Sequence, residues 1–465
     1  MNLHAAILER YKSGCRPSTP GARFLLLLLL FWLSSPKGIC FIRAATTASI
    51  YTPPMRATLL LTTLALATAA HAQWTIQDAN TTASLRGIHN LGNGIAWTSG
   101  TEGTILRTED NGKTWQHCAI PPDAEKLDFR GIHSLGNGIA WASGTEGTVL
   151  RTEDNGKTWQ HCAIPPDAEK LDFRGIQAFN SKTAIVMSSG KGDLSRLYKT
   201  SDGCQTWKLI FTNPDKDGFW DALIFEDETS GFLLGDPVHG SFYLSETTDG
   251  GKTWIQKHNQ GLDADASRQG AFAASNTSMS VMHRLPSFGS GGVGGAFVYR
   301  LVASMICEGD CPKEDPSKYG STDLWSSVPV PLGSRTEASG LFSFALLPTT
   351  ELGVAVGGDY LKPNASTGTA AFTQDEGHSW TASTTPPHGY RSAVAYDTST
   401  KTWITVGPNG TDVSTNNGRK WRALTPSSAD APDADKNWNA LSLPFVVGPH
   451  GRIGILRDGV LAPHK

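Results

Sequence analysis

TEDNGKTW, residues 108–115, returns as TEDNGKTW (152–159), TSDGCQTW (200–207), TTDGGKTW (247–254), TQDEGHSW (373–380) and, weakened, STNNGRKW (414–421). The shared frame is Ser/Thr-x-Asp-x-Gly-x-Thr/Ser-Trp, and its chemistry is that of a hairpin turn. Asp110 can accept hydrogen bonds from the backbone of its own turn, Gly112 supplies the positive φ such a turn needs, and the Trp opens the next strand. The equivalent Asp154, Asp202, Asp249 and Asp375 are assigned the same structural role. Self-similarity at a period of about 44 residues marks a repeat architecture, one supersecondary unit per return.

One unit, RGIHNLGNGIAWTSGTEGTILRTEDNGKTWQHCAI, begins at Arg86. RGIHNL, GIAWTSG, GTILRTE and KTWQHCAI read as four short antiparallel strands, the box forming the turn between the third and fourth. Four strands per repeat, with no helical period sustained, is the pattern of a β-propeller blade. First strands begin at Arg86, Arg130, Arg174, Asp221, Gln269, about Ser343, Arg391 and Asn439. Fourth strands are marked by Trp115, Trp159, Trp207, Trp254, Trp325, Trp380 and Trp421, one fewer. The missing fourth strand lies at the front, where QWTIQDANTTASLRGI has the layout of KTWQHCAIPPDAEKLDFRGI without a blade before it. Trp74 is therefore expected to complete the blade begun at Asn439, which closes the ring and removes its free edges.

The fold class expected is all-β, an eight-bladed propeller. Residues 86–129 and 130–173 differ only at Asn90/Ser134, Thr98/Ala142 and Ile105/Val149, so the count is seven blades plus one recent copy. The blade from Gln269 to Trp325 is irregular. It carries a Gly-rich SFGSGGVGG (287–295) and an insertion, 302–322, in place of a box.

The composition fits this reading: 465 residues, 49 of them Gly, and 18% charged. A formal net charge of -3 gives no support to nucleic-acid binding. Residues 55–72, MRATLLLTTLALATAAHA, read as a signal peptide with Ala70-His71-Ala72 as the cleavage site. Residues 1–54 read as sequence upstream of the true start at Met55. The alternative, a membrane anchor near 24–42, is interrupted by Pro36 and Lys37. The expectation is an exported protein, periplasmic or extracellular, with 73–465 as a single propeller domain. Cysteine use agrees. Cys307 and Cys311 have the spacing of a local disulfide, with no His or second Cys pair nearby to make a metal site. Cys118 and Cys162 are copies of one position, so at most one keeps the ancestral partner, and Cys204 is the partner expected for Cys162.

Propeller topology sorts the loops onto two faces. The box turns share one; the loops entering each first strand share the other with the loops that join second to third strands. On that second face Arg86, Arg130, Arg174 and Arg391 occupy equivalent positions, with Tyr390 beside the last, while Glu102, Glu146, Lys191, Asp236 and Asp359 come from the second-to-third-strand loops. A channel mouth ringed by arginines and carboxylates is expected, serving either as a binding surface or as an ion-paired seam between blades.

The boxes, together with YKTSDGCQTWKLIF, GFLLGDPV, GVAVGGDY and the repeated SGTEGT, resemble the photosystem II stability/assembly factor family, in its bacterial branch, over nearly all of 73–458. The boxes are similar, more distantly, to those of sialidases. The first resemblance implies a lumenal or periplasmic scaffold that binds a protein partner, such as a membrane-protein subunit, through an Arg-lined face. It implies no cofactor, no metal and no catalytic residue. The second implies an alternative, a glycoside hydrolase acting on extracellular glycans. That reading needs three Arg around a carboxylate beside a Tyr nucleophile, or a carboxylate pair such as Asp236 and Asp359. The Arg-Ile-Pro signature of sialidases is missing; HRLP at 283–286 is late and mismatched.

Overall fold

The computed structural model describes residues 73–257, 261–272, 276–282, 285–303, 324–428 and 430–461. They form eight four-stranded antiparallel sheets, each taken from consecutive strands except the last. The first blade comprises Leu85–Gly92, Ile95–Gly100, Ile105–Thr108 and Gln116–His117. In the last, Ala440–Ser442, Phe445–Val447 and Ile453–Leu456 are completed by Trp74–Gln77, with Trp74 opposite Leu456 and Gln77 opposite Ile453. The expected closure is therefore present. Innermost strands adjoin in chain order around the ring, and Ala440–Ser442 lies against Leu85–Gly92.

The box turn is built from side-chain oxygens. Thr247 Oγ1 accepts from the backbone N–H of Gly251 at 2.8 Å and donates to Asp249 Oδ1 at 3.0 Å. The carboxylate then reaches forward, taking the N–H of Thr253 at 2.9 Å and its hydroxyl at 2.7 Å. The same bonds recur around Asp110, Asp154, Asp202 and Asp375. Asn416 keeps two of them in the weakened box, where Lys420 supplies no hydroxyl. Partial burial pushes the Asp249 pKa up, but the bonds from Thr253 and Thr247 outweigh it and bring it down to about 2.

Each turn delivers its Trp onto the preceding blade, where it joins that blade's core. Trp159 meets Trp97 edge-on at 5.7 Å, and Trp115 meets Phe445 of the last blade at 5.6 Å. Trp207 packs with Trp141, Trp254 with Leu197, Trp325 with Leu244, Trp380 with Val298 and Trp421 with Val354. Trp74, 1% exposed, does the same against Ile404 and Val413, and its indole N–H donates to Thr411 Oγ1 at 3.0 Å.

Two first strands begin later than their spacing predicts. In the fifth blade the innermost strand is Met279–Met282, because the chain at Gln269 is held instead by the tip of the next hairpin: Gly270 bridges Gly291, and Gln269 Nε2 donates to Tyr299 Oη at 3.0 Å. In the seventh it is Ala393–Asp397, two residues past Arg391. Cys307, Cys311 and most of the 302–322 insertion lie outside the described residues, as do residues 1–72.

Cys162 and Cys204 form a disulfide, with their Cα atoms 5.0 Å apart. Cys204 occupies the position of the box glycine and keeps its positive φ, +66°. In the copied blade the corresponding position is Gly156, and a Cβ built there would lie 3.0 Å from Cys118 Sγ. The duplication thus copied one half of the disulfide and left its second half a glycine. Burial pushes the free Cys118 thiol up to about 11, so it carries little thiolate at neutral pH.

Two expected outcomes follow from this geometry. Asp249→Ala removes three acceptor bonds from one turn and is expected to lower stability by roughly 1–3 kcal/mol in denaturant unfolding; an unchanged midpoint would show that the turn does not need its carboxylate. Deleting 130–173 joins Phe129 to Arg174, as Phe173 joins it in the full chain, and brings Cys118 into register with Cys204. The shortened ring is expected to fold, since blades contact chiefly their neighbours, and to carry a Cys118–Cys204 disulfide in non-reducing peptide mapping. Two free thiols in a folded deletion variant would refute the register.

Candidate functional site

The two faces sort as the topology requires. Asn111 N–H donates to Gly94 O on the box face, while on the other face Thr101 N–H donates to Ser84 O and Gly103 N–H to Leu127 O. The second-to-third-strand loops therefore sit beside the entries to the first strands. On this face a cavity of about 420 Å³ opens into the central channel.

Three of the four equivalent arginines line it. Arg86, Arg130 and Arg174 reach the cavity from adjacent blades, with Ile88, Ile132 and Ile176 two residues further along the same strands. The Arg-Gly-Ile order explains the arrangement. Each arginine is the extra residue of a β-bulge, between the paired Leu85 and Gly87, Phe129 and Gly131, or Phe173 and Gly175, and the glycine allows close approach of the next blade: a Cβ at Gly87 would stand 3.3 Å from Ile132.

The guanidiniums are unequally neutralised. Asp172 accepts from Arg130 Nε at 2.7 Å and from Arg174 Nε at 3.0 Å, and Asp128 stands 4.0 Å from Arg130. Arg86 is exposed and, among the described residues, has no carboxylate within ion-pairing distance; Ser84 stands where the next two blades carry Asp128 and Asp172. Asp221 continues the series in the fourth blade and lines the same cavity. Its burial, and the charge of Asp236 nearby, push its pKa well above the usual carboxylate range against the pull of Arg174. The signal for Asp221 was its register with the arginines, and for Asp128 and Asp172 the repeated DFRGI.

Arg391 does not join them. Its side chain is fully buried in the seventh blade and ion-paired to Asp412. Ser392 follows where the three other arginine-bearing blades have glycine, and its hydroxyl donates to Val406 O at 3.2 Å, or alternatively to Trp438 O at 3.3 Å. Tyr390, 8% exposed, packs edge-on against Phe342 at 4.9 Å, and burial pushes its pKa up. Asp359 is buried and accepts from Ser334, Thr336 and the N–H of Leu361; these bonds outweigh the opposing effect of burial and lower its pKa. Asp236 accepts from the N–H of Ala271, and burial raises its pKa. Neither Asp236 nor Asp359 lines the channel cavity. Glu102 and Glu146 are exposed at positive φ in their loops, and Lys191 pairs with Asp217 at 3.0 Å. No group of three or more metal-ligating side chains occurs among the described residues.

Below the arginines two copied histidines clamp one blade to the next. His89 Nδ1 accepts the N–H of Ser134 at 3.1 Å, and His133 Nδ1 accepts that of Ala178 at 2.9 Å. Their rings lie 5.3 Å apart. Burial, helped by the charge of His89, pulls the His133 pKa down to about 4. The folded ring holds His133 neutral, whereas the unfolded chain protonates it near 6.5. Its contribution is therefore whole above pH 6.5 and declines as pH falls toward 4, by up to roughly 1.4 kcal/mol per pH unit. His133→Gln, the residue found at the equivalent Gln177, is expected to flatten that slope in unfolding measured from pH 7 to 4. An unaltered slope would place the acid sensitivity elsewhere.

Residues 66–218 match the family model described as "Photosynthesis system II assembly factor YCF48", which makes this stretch, and the first three blades within it, YCF48-like. No curated protein matches the chain in sequence. Among solved structures, one described as "YCF48 bound to D1 peptide" is 16% identical, covering 84% of this chain and 99% of that one at a TM-score of 0.48. YCF48 from Cyanidioschyzon merolae is 14% identical, with coverage of 83% and 99% and a TM-score of 0.49. Sqt1 of Saccharomyces cerevisiae is 10% identical, with coverage of 83% and 98% and a TM-score of 0.53, a likeness of fold alone.

Proposed function

We propose that this YCF48-like propeller is an exported scaffold that binds a protein partner, of the membrane-subunit kind, at its channel mouth. The observation that carries the reading is the charge imbalance of the arginine arc: three guanidiniums line one cavity, two share Asp172, and Arg86 has no carboxylate partner among the described residues. A partner carboxylate there would gain a charge-assisted, bidentate contact, while Ile88, Ile132 and Ile176 offer apolar surface to whatever carries it. The hydrolase alternative has less support, since Arg391 is consumed by Asp412 and Tyr390 packs against Phe342. Export rests on the signal-like 55–72 and agrees with a disulfide between Cys162 and Cys204.

Envelope membranes of the source cell, solubilised and passed over the immobilised chain, are expected to yield one partner identifiable by mass spectrometry. Arg86→Glu is expected to weaken its binding at least about tenfold, or ~1.4 kcal/mol, while Asp249→Ala, on the opposite face, leaves affinity unchanged in the folded fraction. Equal binding by Arg86→Glu, or loss confined to Asp249→Ala, would move the function off this face.

A further inference from the structure

Asparagine is followed by glycine at six places, Asn93, Asn111, Asn137, Asn155, Asn409 and Asn417, and each pair sits in a turn. The pair suits tight turns because asparagine tolerates positive φ and glycine has no Cβ to clash. It is also chemically labile, since the unshielded glycine nitrogen can reach the asparagine side chain. In that reaction the glycine nitrogen bonds to the asparagine Cγ, the Cγ–Nδ2 bond breaks, and Nδ2 leaves as ammonia with the proton given up by the glycine. Water then opens the five-membered imide at one of its two carbonyls. The product is aspartate, or isoaspartate, in which the main chain runs through the former side-chain carbon. Nothing is oxidised or reduced, and water is the only co-reactant. The chemistry needs two freedoms, a released glycine N–H and an asparagine side chain able to swing onto it.

Four of the six turns withhold one or the other. In the box turns the nucleophile is engaged: Gly112 N–H donates to Thr108 Oγ1 at 2.9 Å, Gly156 N–H to Thr152 Oγ1 at 3.0 Å and Gly418 N–H to Ser414 Oγ at 3.0 Å. Asn155 is held a second time, its Oδ1 accepting from Arg107 Nη2 at 3.0 Å. At Asn409 the side chain is fixed at both ends, Oδ1 by Arg391 Nη1 at 2.5 Å and Nδ2 by His388 O at 2.9 Å.

Asn93 and Asn137 differ. They stand at the tips of the hairpins that join Leu85–Gly92 to Ile95–Gly100 and Phe129–Gly136 to Ile139–Gly144 in the two copied blades. Both are exposed, at φ +51° and +49°, and each precedes a glycine at +82°. Among the described residues neither side chain makes a hydrogen bond, and the N–H groups of Gly94 and Gly138 donate to none. The tips are tied only through the glycine carbonyls, which accept the N–H of Asn111 and of Asn155 at 3.1 Å. We propose that Asn93 and Asn137 are modification sites of the folded ring, converting to aspartate and isoaspartate while the other four pairs persist. Each conversion adds one negative charge to the box face of a chain whose formal net charge is -3. Isoaspartate also lengthens the main chain of a two-residue turn by one atom and so loosens its tie to the box turn of the same blade. No partner enters this chemistry, which therefore stands apart from the scaffold reading.

The test uses the full chain, kept folded at mildly alkaline pH, digested with trypsin and read by tandem mass spectrometry with fragmentation that separates aspartate from isoaspartate. Peptides 87–107 and 131–151 distinguish the copies through Asn90/Ser134 and Thr98/Ala142, while 108–113 and 152–157 are identical and are read together. Asn93 and Asn137 are expected to convert at least about fivefold faster than the other four, the factor given by roughly one more hydrogen bond to break. In denaturant the six rates are expected to converge. Equal rates in the folded chain, faster conversion in the box turns, or no conversion at the hairpin tips would overturn the assignment. A spread that persists in denaturant would overturn it too, since local sequence and not the fold would then set the order.

Discussion

The ring depends on a tryptophan that each blade gives away. Seven fourth-strand tryptophans, and Trp74 in place of the eighth, leave their own hairpin and enter the core of the blade before. The box turn exists to aim that residue. Asp249 takes the Thr247 hydroxyl before the bend and the backbone N–H and hydroxyl of Thr253 after it, and Thr247 takes the N–H of Gly251, so that Trp254 is directed to the core that holds Leu197. A blade without its neighbour would expose a large aromatic on one side and a gap on the other. Four strands with such an arrangement are not a stable unit alone, which is why the repeats occur as a closed set.

That dependence made the fold legible in the sequence. Counting tryptophans against first strands left one blade unfinished, and Trp74 was the residue able to finish it; the register of Trp74–Gln77 on Ile453–Leu456 bears this out. The Cys162–Cys204 pairing was legible for a related reason, because two copies of one cysteine could not both keep the same partner. The candidate site was read less well. Arg86, Arg130, Arg174 and Arg391 are equivalent by alignment, yet only the three followed by Gly-Ile point into the channel. What separates Arg391 is a carboxylate two strands away, Asp412, which no repeat spacing reveals. Gln269 misled for a similar reason: its chain is captured by the Gly291 hairpin, a contact between distant segments.

The copied blade changes the chemistry of the channel as well as its width. Each copy brings an arginine, an isoleucine beneath it and a histidine clamp, so the duplicated arc carries one more of each than a ring with a single copy. Each copy also brings an aspartate, Asp128 or Asp172, so the shortfall of one carboxylate stays at the first strand, which is preceded by Ser84 and not by aspartate. The unmatched charge of Arg86 among the described residues is thus set by what lies just outside the repeated segment.

The shared last blade also imposes a timetable. Residues 73–77 leave the ribosome before the rest of the propeller, but the strand they pair with follows only near its end; the bond from Arg457 to Thr75 joins positions 382 apart. Until then Trp74 has no groove to enter, and the strand edge of the terminal blade has no cover. Closure is therefore the most non-local step of assembly and the one most exposed to mispairing between chains. Once made, it acts as a clasp, since opening the ring at either terminus means tearing one sheet whose strands come from both.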